Sequence, residues 1–115
     1  MHELSYTQNF FQITIQQANQ AGAKEVTRVF LRVGETHEII GTYVQKYWHA
    51  IAAGSVAENA RIEIQEIPLT FQCDTCKTVY PVKKTDPQSW RCPKCGESGS
   101  IFTGMELEVA QIEVR

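Results

Sequence analysis

Cys73-Asp74-Thr75-Cys76, then fifteen residues, then Cys92-Pro93-Lys94-Cys95-Gly96: the reading of these paired cysteines decides how the rest of the chain is read. Two residues between thiols let each pair turn back as a knuckle around one ion, and the separation of the pairs falls within the spacing of zinc sites. Four thiolates complete a tetrahedron, so Cys73, Cys76, Cys92 and Cys95 are expected to bind Zn(II). Iron is the competing ion, because tetrahedral all-thiolate sites also hold it; rubredoxin knuckles, however, sit farther apart in sequence. Gly96 can take the positive φ that turns backbone amides toward sulfur. A four-cysteine site keeps no open position for water or substrate, so the expected role of the zinc is structural. The three histidines, His2, His37 and His49, lie outside this stretch.

Outward from the cysteines the composition changes abruptly. Between Phe71 and about Ser100 lie all four cysteines, three of the four prolines and almost no extended apolar pattern, so cysteine spacing rather than an apolar core is expected to hold that stretch together. On its N-terminal side, Leu4, Phe11, Ile15 and Ala18 recur at helical spacing, Ser5 followed by Gln8 has the form of a capping box, and Gly22 supplies a stop. In "VTRVFLRVGE", Val29, Leu31 and Val33 alternate with Arg28, Phe30 and Arg32, which predicts a half-buried strand ending at Gly34. Ile40, Val44, Tyr47, Trp48 and Ile51 mark a second helix that ends before Gly54. "ARIEIQEIP" alternates around Ile62 and Ile64 and closes at Pro68, which cannot donate to a sheet ladder. On the C-terminal side, "MELEVAQIEVR" alternates again, with a change of phase before Ile112 that predicts a bulge near Ala110-Gln111. The simplest fold is α+β: two helices packed on a three-stranded sheet, with a four-cysteine zinc-ribbon module inserted between the second and third strands. The domains expected are residues 1–70 with 101–115, and the inserted module 71–100.

The chain has 115 residues, a net charge of −2 and a pI near 5.9, with 11 Lys+Arg and 13 Asp+Glu spread without long runs. Such a chain supports one modest core and no field for a polyanion, so nucleic acid is not an expected partner. No apolar stretch is long enough to cross a bilayer, and the start lacks the charged and apolar regions of a signal peptide. The expected compartment is the cytoplasm, where thiols stay reduced and paired cysteines read as metal ligands.

The start, Met1-His2-Glu3, offers a second metal site. His2 is too large a neighbour for removal of the initiator methionine. The Met1 amine, the amide nitrogen of His2, its imidazole and the Glu3 amide can then present nitrogen donors in one plane, which suits Ni(II) or Cu(II). The bland reading is that His2 is merely exposed and that Glu3 serves the dipole of the first helix.

Five segments together resemble the HypA/HybF nickel metallochaperones of NiFe-hydrogenase maturation: "MHELS", "VTRVFLRVGE", "GSVAENARIEI", the paired knuckles ending in "CPKCG", and "GMELEVAQIEV". The resemblance implies that Met1, His2 and Glu3 form the nickel site, His2 as side-chain ligand and Glu3 in support of nickel binding or of partner contacts. It implies that Cys73, Cys76, Cys92 and Cys95 hold structural zinc. Proteins of this family are not enzymes; they hand Ni(II) to the hydrogenase large-subunit precursor in company with a maturation GTPase, and some relatives serve urease. A monomer or a homodimer is expected. Where the family commonly carries a leucine-serine pair after Val33-Gly34-Glu35, this chain has Thr36-His37-Glu38. Thr36 is expected to cap the second helix; His37 or Glu38 as an auxiliary nickel ligand is the sharper alternative. A rival reading is a zinc-ribbon module that binds protein or nucleic acid without metal delivery, using Lys77, Lys83, Lys84, Trp90, Arg91 and Lys94. Asp74, Asp86 and Glu97 dilute that cluster, which reads instead as a docking face for an acidic protein surface.

Overall fold

The computed structural model describes residues 3–115; Met1 and His2, two of the expected nickel ligands, lie outside the described residues. In chain order the elements are α1 (Glu3–Gln20), β1 (Val26–Gly34), a short 3-10 helix (Glu35–His37), α2 (Gly41–Ile51), β2 (Arg61–Ile67), β3 (Thr70–Cys73), β4 (Val79–Pro81), a second 3-10 helix (Pro87–Trp90), β5 (Gly99–Thr103) and β6 (Leu107–Val114). They form two three-stranded sheets, ordered β2-β1-β6 and β4-β3-β5. The chain divides into two compact units. One comprises the described chain up to Arg32, Ile39–Gln65 and Leu107–Arg115; the other comprises Val33–Glu38 and Glu66–Glu106.

The first unit is the expected pair of helices on a sheet. Val26, Val29 and Leu31 of β1 are buried together with Phe10, Ala18, Val44, Trp48 and Ile62, while α1 packs against α2 and β6. Phe11 meets Trp48 edge-to-face at 5.6 Å, and the Trp48 indole donates to the Ala57 carbonyl at 3.2 Å. The inward stripe of α1 differs from the apolar one in the sequence. It runs Glu3, Thr7, Phe10, Thr14, Ala18, and Leu4 is 45% exposed. Threonine can face a core when its hydroxyl is satisfied, and here Thr7 donates to the Glu3 carbonyl and Thr14 to that of Phe10. Ser5 does not cap α1, because it lies inside the helix.

The second unit is wider than the cysteine-rich stretch, and its own contacts show why. The Gly34 amide donates to the Glu106 carbonyl, the Thr36 hydroxyl to Gly104 at 2.6 Å, and the Leu69 amide to the Glu35 carboxylate at 2.8 Å. A β-carbon at Gly34 would fall 2.1 Å from the Gly104 carbonyl oxygen, so two backbones meet where only glycine fits. β3 pairs antiparallel with β4 (Phe71 opposite Tyr80) and with β5 (Cys73 opposite Gly99). Cysteine spacing is not its sole support: Leu69, Cys73, Tyr80, Val82 and Cys92 form a buried cluster with Phe71 and Cys76 against it. Those apolar residues are too few and too scattered in sequence to show a periodic pattern.

Candidate metal centre

Each knuckle grows from the end of a short strand or bridge. Cys73 closes β3, and Cys92 follows Arg91, which bridges to Ser98. Within each knuckle the chain turns back on itself: the Lys77 amide donates to the Cys73 carbonyl at 3.1 Å and the Gly96 amide to the Cys92 carbonyl at 2.8 Å. Gly96 has φ +79°, as its place in the sequence suggests, and Lys77 holds the matching place after Cys76 with φ 65°. An L-residue bears that conformation at a cost, so Lys77 is a strained position that the sequence hides behind a non-glycine residue.

The four Sγ atoms all lie within 4.8 Å of one another. Cys73 and Cys95 are 3.4 Å apart, Cys76 and Cys92 3.6 Å. A tetrahedron with Zn–S bonds of about 2.3 Å has edges of about 3.8 Å, so the donor set fits one zinc ion. Amides of Thr75 and Cys76 approach the Cys73 sulfur at 3.4 Å, and that of Lys94 approaches Cys92 at 3.4 Å. These are the outer-shell donors that make thiolates good ligands.

The thiols are unequal in acidity. Hydrogen bonding from the Cys76 amide holds Cys73 below the ordinary thiol value in spite of burial. Thr78, through its hydroxyl and then its backbone, brings Cys76 down to about 6. At Cys95 the Glu97 amide favours the thiolate, but hydrogen bonding to Cys73, burial and the remaining cysteines outweigh it and push the thiol up to about 12. Burial, followed by the charge of the neighbouring cysteines, raises the Tyr80 phenol; its hydroxyl donates to the Trp90 carbonyl at 2.7 Å. Such a cluster resolves its proton sharing by releasing protons to solvent as a cation binds the thiolates. Thr78 and Tyr80 were not anticipated from sequence, since neither has a spacing signature.

Glu3 is the first described residue of α1 and is 5% exposed. Its Oε2 accepts a hydrogen bond at 3.1 Å from the amide of Ile40, the residue that caps α2. The carboxylate thus stands at the amino-terminal ends of two helices, where the dipoles favour negative charge. This contact replaces the cap expected from Thr36, which is engaged with Gly104. His37 Nε2 lies 3.0 Å from the Met105 carbonyl, and Glu38 pairs with Lys84 at 3.5 Å. His49 is an exposed residue of α2.

An α+β unit accompanied by a closed four-thiolate centre on a small sheet of its own defines a metal-binding protein of the zinc-ribbon-bearing class. The particular family follows from comparison: the profile described as "Hydrogenase/urease nickel incorporation, metallochaperone, hypA" matches residues 1–114, and the chain belongs to the HypA family. It is 39% identical over 114 residues to the hydrogenase maturation factor HypA of Roseiflexus sp. (strain RS-1), covering 98% of this chain and 91% of that one. It is 36% identical to the HypA of Geobacter sulfurreducens, covering 99% of each. Among solved structures, the solution structure of the Ni metallochaperone HypA from Helicobacter pylori superposes with a TM-score of 0.66 at 21% identity, over 99% of this chain and 97% of that one. A second HypA solution structure gives 0.74 at 21% identity, over 100% and 97%. The α+β fold with two helices and a cysteine-bearing second sheet is therefore the fold of the family.

Proposed function

We propose that this chain carries Ni(II) on its amino terminus and passes it to a nickel enzyme under assembly. The observation that carries the proposal is the family match, which begins at residue 1 and so includes Met1-His2-Glu3. The nickel ligands are the Met1 amine, the His2 imidazole and neighbouring backbone amides, a planar nitrogen set of the kind Ni(II) prefers. Glu3 contributes through position: its carboxylate accepts from the Ile40 amide and so ties the start of the first helix to that of the second. The helix-bearing unit serves as the nickel-binding domain, and the unit of Val33–Glu38 and Glu66–Glu106, wider than the expected 71–100, as the zinc-binding module. Zinc bound by Cys73, Cys76, Cys92 and Cys95 is structural, since four thiolates leave it no open position.

The recipient is the precursor of the hydrogenase large subunit, with urease as a further client, and a maturation GTPase acts beside the chaperone in the cytoplasm. The chain itself catalyses no reaction; it acts as monomer or homodimer by stepwise exchange of ligands with the recipient. Among the described residues no helix is long and apolar enough to cross a membrane. The test is nickel titration of tag-free, zinc-loaded protein followed by absorption spectroscopy. His2→Ala, and separately one extra residue before Met1, should each abolish the planar Ni(II) spectrum while zinc stays at one per chain. Equal nickel binding by all three proteins would place the site elsewhere and refute the terminal chelate.

A further inference from the structure

The loop from Lys83 to Trp90 in the cysteine-bearing unit is braced far beyond what its length requires. The Ser89 hydroxyl oxygen accepts from the Lys83 amide at 2.9 Å and lies 2.7 Å from the Asp86 carbonyl, while the Asp86 carboxylate caps the short helix by accepting from the Gln88 amide at 3.1 Å. The Trp90 indole donates to the Lys83 carbonyl at 3.0 Å, and the Tyr80 hydroxyl ties down the Trp90 carbonyl from below. The indole is thereby satisfied within the loop, yet Trp90 remains 41% exposed. Its neighbours Ser89 and Arg91 line a groove of about 400 Å³ walled by Tyr80, Pro81 and Pro93. A rigid, half-exposed tryptophan beside an arginine and a mostly apolar groove has the composition of a binding hot spot, and its bracing lowers the ordering cost of association.

Charge specifies the occupant. Lys84 is paired with Glu38, and the Lys77 ammonium donates to the Asp74 carbonyl. Lys83, Arg91 and Lys94 form no ion pair among the described residues, and all three are exposed. Two of the three acids nearby are engaged locally, Asp86 as a cap and Asp74 with the Ser100 hydroxyl at 3.0 Å. Arg91, which lines the mostly apolar groove, and Lys83 and Lys94, which flank the lining residues in sequence, are cations without an ion-pair partner, and together they complement a short acidic segment with an aliphatic anchor. A nucleic acid strand needs a continuous cationic track, and the net charge of −2 opposes it.

We infer that the Trp90 loop and the Tyr80-Pro81-Pro93 groove form a docking surface for an acidic peptide segment of a partner protein, its aliphatic side chain in the groove and its carboxylates on Lys83, Arg91 and Lys94. This surface goes beyond nickel carriage and does not depend on where nickel binds. The probe is the acetylated peptide Glu-Leu-Glu-Glu-Leu-Glu, titrated into the zinc-loaded, 15N-labelled full chain, with Lys-Leu-Lys-Lys-Leu-Lys and oligothymidylate as the other arms. Trp48 is buried and Trp90 exposed, so their indole signals separate the site from the core. The acidic peptide should shift the Trp90 indole and the amides of Lys83–Lys94, leave Trp48 in place, and bind more weakly as salt rises. Arg91→Glu and Lys83→Glu should each weaken it on the order of tenfold, since attraction at the rim becomes repulsion. Both positions are exposed, and an unchanged zinc content and terminal nickel spectrum would show that the fold and the chaperone site are intact. Absence of a Trp90 shift, binding unaffected by charge reversal, or tighter binding of oligothymidylate would each overturn the inference.

Discussion

Glu3 joins the sequence start to the tertiary structure, and its removal should be measurable in the stability of the helix-bearing unit. Glu3→Ala deletes a buried carboxylate that accepts from the Ile40 amide at 3.1 Å. A hydrogen bond to a charged acceptor contributes about 1.5–3 kcal/mol, so we expect a loss of about 2 kcal/mol. With an unfolding entropy of about 2.1 cal/mol/K per residue, the stability of the helix-bearing unit, about 68 residues, changes by about 0.14 kcal/mol/K, and its Tm should fall by about 14 °C. Glu3→Gln keeps an oxygen acceptor and loses only the charge, so its fall should be about half as large. The assay is thermal unfolding of zinc-loaded protein without nickel, followed by far-ultraviolet circular dichroism. A Glu3→Ala protein melting within about 1 °C of the parent, or a Gln variant less stable than the Ala variant, would refute the reasoning.

Glycine substitutions should separate steric from conformational costs in urea unfolding. Gly34→Ala meets the Gly104 backbone at 2.1 Å and should cost about 3 kcal/mol or more, whereas Gly96→Ala meets nothing within 4 Å and should cost only the about 1–2 kcal/mol of a left-handed L-residue. Lys77→Gly should relieve the matching strain and leave the protein as stable or up to about 1 kcal/mol more so. Removal of zinc by a chelator should collapse the amide signals of β3, β4 and β5 toward random-coil positions while the Trp48 indole signal keeps its position, because metal binding and folding are coupled in that unit.

Certain features could be read directly because the physics behind them is local. A thiolate pair two residues apart has few other uses, so the metal centre was visible from Cys73, Cys76, Cys92 and Cys95 alone. Alternation in β1 and the stripe around Val44 and Trp48 gave the sheet and second helix for the same reason, since an element's period is written in its own residues. α1 was located correctly and its buried face in part: Ala18 is buried and Phe11 packs on Trp48, but Leu4 is exposed. Thr7 and Thr14 look polar in a pattern, and only their hydroxyl bonds to carbonyls one turn back allow them inside.

Other features depend on partners distant in sequence. Thr36 has the chemistry of a cap, yet its hydroxyl is taken by Gly104, 68 residues away, and α2 is capped by Glu3, 37 residues from Ile40. Gly34 must be glycine only because the Gly104 backbone lies against it, and the Tyr80 cluster exists only because β3, β4 and β5 bring scattered apolar residues together. By itself the sequence determined the metal-ligand chemistry and the periodic elements, because spacing along the chain sets both. Which polar side chains are buried, which one caps α2, and which cations around Trp90 lack a partner were decided by tertiary structure, because a hydrogen bond or an ion pair depends on the distance between two groups in space.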